Sequence, residues 1–221
     1  MKKNQNYGTL RKYAILLFLL FLFISISAFS YVSAVSSNIA DSVFRLHIIA
    51  NSNSIADQNL KLLVRDKVIE YMNSISKGYT TKSDVINLVE NNLENFKQIT
   101  QNVIHENGYD YNVTISVGNF EFPTKAYGDI SLPAGAYDAL KIEIGNANGQ
   151  NWWCVMFPPL CFVDVSSGIV PDDSKKIIQD KLSDEEFYII SENTPDVKFK
   201  FKLIELLSNM ANTFTAKKAN F

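Results

Sequence analysis

The sequence predicts an α+β domain, with a largely antiparallel sheet and two long helices packed on one side, preceded by an N-terminal export segment. Three observations carry this. Apolar residues alternate with period two over residues 43–49, 111–117 and 136–144. They recur at helical spacing over two stretches between Ser54 and Asn107, separated by Gly78. Ahead of both, a basic start leads into an unbroken apolar run from Ala14 to Ile24.

Residues 1–34 hold Lys2, Lys3, Arg11 and Lys12 and no acidic residue. The apolar run continues more weakly to Phe29, and Val32-Ser33-Ala34 offers small residues at the two positions a signal peptidase reads. This is a secretory signal cut after Ala34, or a membrane anchor that stays. A span needs about 20 apolar residues, although 17 suffice. Both readings put the rest of the chain outside the cytoplasm, because the basic flank stays inside. Residues 35–42 continue a small, polar tether, and residues 43–221 form one domain long enough to bury a core. The whole chain has 21 basic and 23 acidic residues. Without the four basic residues of the export segment, residues 35–221 carry a net charge of −6. That argues against nucleic acid, and against binding an anionic membrane by charge.

The first strand is Val43–Ile49, half-buried, with Phe44, Leu46 and Ile48 on one face and Arg45 and His47 on the other. Asn51-Ser52-Asn53-Ser54 stops it. Ser54 caps a helix, and the Asp57 carboxylate answers the cap and the helix dipole. Leu60, Val64, Val68 and Met72 form that helix's main stripe, and Gly78 ends it. A second helix, capped by Ser83, runs to Asn107 with Gly108 as its left-handed terminus. A strand follows over Tyr111–Val117, then an irregular ordered loop over Asn119–Gly135. Ala136–Ile144 and Asn151–Phe157 read as a hairpin around Asn148-Gly149. The second of these is apolar on both faces, so it is central or covered by something else. Pro158-Pro159 breaks it, and Cys161–Val165 is a short apolar piece. One short helix lies around Ser174–Leu182. Val197–Leu203 alternates with a lysine face, as a protected edge strand does, before a last helical turn over Ile204–Met210.

Catalytic patterns are few. The chain has no Gly-rich phosphate loop, no HExxH and no GxSxG, and no cofactor is expected. Cys154 and Cys161 stand seven apart, too far for the usual zinc pairing with His47 and His105. An even cysteine count in an exported chain favours a Cys154–Cys161 disulfide across Pro158-Pro159, with two buried thiols as the alternative. His47 beside either cysteine would make a thiol nucleophile and base. Arg65-Asp66 reads as a solvated helical ion pair. Trp152-Trp153 would stack a sugar or fill a core. Binding or signalling is favoured over catalysis.

Two long strings point further. The first is Phe44-Arg45-Leu46-His47-Ile48-Ile49-Ala50-Asn51-Ser52, followed by Asp57-Gln58, Leu60-Lys61-Leu62 and Val64-Arg65-Asp66. The second is Pro133-Ala134-Gly135-Ala136-Tyr137-Asp138-Ala139-Leu140, followed by Asn151-Trp152-Trp153-Cys154-Val155-Met156-Phe157-Pro158-Pro159-Leu160-Cys161-Phe162-Val163-Asp164. Together they resemble the stage II sporulation protein R family, and Asp196–Leu207 fits it more loosely. The resemblance implies a protein made in the forespore and sent into the space between the septal membranes. There it would activate a membrane-embedded protease, related to aspartic proteases, at its extracytoplasmic face. That protease would process the precursor of the mother-cell sigma factor. The chain would be a signal rather than an enzyme, touching a membrane only through its N-terminal segment. The alternative is a secreted cell-envelope enzyme, thiol-dependent or carbohydrate-acting. Arginine and tryptophan often dominate interfaces. The expected partner contacts are therefore Arg45, His47, Asn51, Ser52, Asp57, Trp152, Trp153, Pro158 and Pro159.

Overall fold

The computed structural model describes residues 3–159, 170 and 172–191. The expected Cys161–Val165 piece, Val197–Leu203 strand and Ile204–Met210 turn lie outside the described residues. The chain divides into two compact units, Met1–Ser37 and Asn38–Phe221.

Helix α1 spans Lys3–Ser42. Leu16, Phe18, Phe21 and Phe23 are each more than 60% exposed, so this stretch has no core of its own to enter. Among the described residues it is the one helix long and apolar enough to cross a membrane. Residues 35–42, expected to be a tether, are helical instead.

The second unit is α+β, as predicted. Its main sheet has the order β2-β5-β1-β6, from β1 (Phe44–Ile49), β2 (Val113–Phe122), β5 (Gly135–Ile144) and β6 (Asn151–Phe157). β1 runs parallel to β5 and antiparallel to β6, and β2 runs antiparallel to β5. The sheet is therefore largely antiparallel, with one parallel pair.

The expected hairpin between β5 and β6 is corrected: β1 lies between them. The connection from Gly145 to Gln150 crosses the end of β1 and bonds to it, Asn148 N to Asn51 O at 3.1 Å and Gly149 N to Ala50 O at 2.9 Å. The tight turn is at Gly145-Asn146, closed by Ala147 N donating to Ile144 O at 3.1 Å, and not at Asn148-Gly149, which lies in the stretch that clears the strand. β1 also departs from the half-buried reading. Flanked on both sides, it is buried from Phe44 to Ile48. On β6, Cys154 to Phe157 are buried too.

One side of the sheet carries Phe44, Leu46, Ile48, Leu140, Ile142 and Ile144 against helices α2 (Ile55–Ile75), α3 (Lys82–Asn91) and α4 (Leu93–Glu106). Ser54 caps α2 as expected, accepting from Asp57 N at 3.1 Å. The second long helix is in fact two, broken at Asn92. The Asn92 side chain donates back to Leu88 O at 2.8 Å, competing with the helical backbone. Its cap is Thr81, not Ser83.

The expected loop over Asn119–Gly135 is more regular than its composition implied. β2 runs on to Phe122, and β3 (Lys125–Tyr127) and β4 (Ile130–Leu132) form a small hairpin. The region expected to hold one short helix holds two, α5 (Asp172–Gln179) and α6 (Asp184–Ser191). A reciprocal cap starts α6: Ser183 Oγ accepts from Glu186 N, and Glu186 Oε2 accepts from Ser183 N.

Candidate functional site

The expected contact residues fall into two clusters and a remainder. The first cluster lies on the sheet face opposite the helices, where the β1 alternation directs Arg45 and His47. Arg45 is fully buried. Its Nη2 donates to Tyr127 Oη at 2.7 Å, and its guanidinium carbon lies 4.0 Å from the Phe122 ring centre and 4.6 Å from that of Tyr137. Among the described residues Nε and Nη1 have no acceptor, and no carboxylate pairs with this cation. Tyr127 in turn donates to Trp153 O at 3.3 Å. Burial pushes the Tyr127 phenol above its ordinary value, against the pull of Arg45. The Tyr137 phenol, also raised by burial, donates to Pro133 O at 2.7 Å.

His47 stacks on Trp153 with ring centres 5.7 Å apart and tilts against Phe122. Its Nε2 sits 2.8 Å from Asn151 Oδ1. Burial lowers its pKa, the Asn151 bond opposes this, and nearby Lys141 lowers it further. The ring is therefore held neutral, with Nε2–H donating to Asn151.

Asn51, Ser52 and Asp57 form the second cluster, where β1 hands over to α2. Asn51 Nδ2 and Ser52 Oγ donate to Asp57 Oδ2 at 2.9 and 2.5 Å. Burial pushes this carboxyl up, but hydrogen bonds from Ser52, Asn51, Tyr111 and Ser54 outweigh it and hold it below the usual range. Asn51 Oδ1 accepts from Asn146 N at 2.9 Å. Lys61 Nζ reaches Gln150 O at 2.9 Å. The cluster thus latches the β5–β6 connection onto the end of β1.

The remaining candidates separate. Trp152 and Trp153 point to opposite faces of β6. Arg65 lies 4.4 Å over the Trp152 ring, while Lys125 lies 5.0 Å over that of Trp153. They form no common platform for a sugar. Cys154 faces the helix-side core beside Leu46, away from His47, so those two make no nucleophile–base pair. Cys161, and with it the expected disulfide, lies outside the described residues. Pro158 is buried and Pro159 is exposed. Arg65 and Asp66 pair at 2.6 Å on the surface of α2, as expected.

Sequence reasoning missed the rings of Phe122, Tyr127 and Tyr137 around Arg45. Phe120 and Phe122 do alternate, but only the strand register brings Phe122 beside β5 and Arg45. The role of Gln58, which donates to Ser52 O at 2.8 Å across the start of α2, was missed as well.

A family model described as Stage II sporulation protein R matches residues 40–167. The Stage II sporulation protein R of Bacillus subtilis (strain 168) is 33% identical over 185 residues, covering 78% of this chain and 83% of that protein. No solved structure matches.

Proposed function

Because the chain belongs to the stage II sporulation protein R family, we propose that it is the forespore's exported signal to a membrane-embedded protease. It binds that protease at its extracytoplasmic face, in the space between the septal membranes. The protease then processes the precursor of the mother-cell sigma factor. The observation that carries this reading is the family match over both long strings, joined to an apolar N-terminal helix that supports export. A ligand switches a protease only by binding its active state more tightly than its inactive one. The signal is therefore stoichiometric and saturable. Of the expected contacts, Trp152, Trp153 and Pro159 are the ones with exposed surface and no part in the latch, and we place the contact at Trp153 and Pro159, because Trp152 packs on the helix-side core. Arg45, Asp57 and Pro158 hold the scaffold.

The test is co-expression with the protease and the sigma precursor in a non-sporulating host. Precursor cleavage that appears only with this chain, and saturates with its amount, is the expected result. Normal processing in a sporulating strain that lacks the chain would sink the reading. The Cys154–Cys161 bridge is part of the proposal. It requires Cα atoms within about 7 Å, and intact mass after alkylation without reduction should show neither thiol modified.

A further inference from the structure

We infer that the outer edge of β2 is a self-pairing surface, on which a second copy of this chain lays its own β2 antiparallel. The two sheets then become one continuous sheet. This goes beyond the signalling role and does not depend on it.

β2 is the terminal strand of the order β2-β5-β1-β6, and among the described residues no strand flanks its outer side. Its ten residues pair with β5 from Val113 to Phe122 without a register shift. It therefore lacks the bulge that often protects a sheet edge. Proline and lysine are absent from it too, and its one charge, Glu121, stands near one end. Thr114, Asn119 and Glu121 are exposed, and Ile115 to Gly118 are half-exposed. A long, straight, nearly neutral edge of β-branched residues is a template for another strand.

The hydrogen-bond phase sets the register. Gly145 N donates to Asn112 O at 2.8 Å, so even-numbered residues of this segment bond towards β5. The N–H and C=O groups of Val113, Ile115, Val117, Asn119 and Glu121 then point outward. A twofold axis through Val117 sets Val117 opposite its copy, Ile115 opposite Asn119, and Val113 opposite Glu121. Every outward group finds a partner, and the two Glu121 carboxylates fall at opposite ends of the ladder. The strand is thus its own complement in both hydrogen bonding and charge, which is what an interface between identical copies requires.

The full chain in detergent micelles of known mass, measured by light scattering, is expected to show twice its 24.9 kDa. Val117→Pro removes an outward N–H, which β5 does not use, and should give a monomer with an unchanged circular dichroism spectrum. Should that variant misfold, hydrogen exchange on the wild-type chain decides. The amides of Ile115, Val117 and Asn119 should be protected, and should lose protection on dilution as the dimer dissociates. A monomeric mass at all concentrations, with fast exchange at these three amides, overturns the proposal. So does a monomeric wild type whose folded Val117→Pro variant fails to trigger precursor cleavage, because the edge then belongs to the receptor.

Discussion

Arg45 holds a guanidinium among three aromatic rings with a single hydrogen-bond partner. Burying a cation without a counter-charge is costly, and an apolar side chain of similar volume is often tolerated as well or better. Arg45→Met should therefore leave the urea midpoint unchanged or raise it. Arg45→Ala should lower stability by about 2–5 kcal/mol, because it empties the space between the rings. If Arg45→Met keeps stability but loses signalling, the buried cation shapes the surface that the partner reads rather than the fold. At His47, the folded pKa lies below its unfolded value of about 6.5. The unfolded chain then binds the extra proton first as pH falls. The stability from a neutral His47 is present above about pH 6.5 and is lost as pH drops towards the folded pKa. Urea titrations at pH 7.5 and 5.5 should show this loss, and His47→Gln should reduce it.

At the scale of elements, the crossing from β5 to β6 is tightly constrained. A Cβ on Gly149 would sit 2.3 Å from the Ser52 carbonyl oxygen, which is backbone and cannot swing aside. Gly149→Ala should cost about 1–3 kcal/mol in chemical denaturation. At Gly118 the nearest atom is the tip of the Phe120 ring at 3.3 Å, so Gly118→Ala should cost much less. The sequence disclosed most elements, since period and caps are local. The α2 cap at Ser54 and the Phe44, Leu46, Ile48 face were both legible. The order of strands was not. Asn148-Gly149 signals a turn equally well whether the connection joins neighbours or clears a strand, and only the pairing of β1 separates the two. The break at Asn92 hides in an otherwise continuous apolar stripe, because one amide side chain decides it. The site was legible as residue types and not as an arrangement. Arg45 stood out in the sequence, but its aromatic surroundings come from β2, β3 and β5.

For the whole molecule, the export reading places the mature N-terminus at Val35, and intact mass of the protein recovered outside the forespore membrane should show it. Full-length chain retained in membranes would instead mark α1 as an anchor. The position of β1 bears on when such a domain can fold. β1 is the first strand made, yet its neighbours β5 and β6 come from the far half of the described chain. Its central place stays vacant until they arrive. Contacts so distant in sequence close slowly, after a long loop has been ordered. A chain emerging N-terminus first would thus trail its earliest strand unpaired through most of its passage. It would remain threadable until β6 has cleared the membrane, and the sheet would lock only behind it.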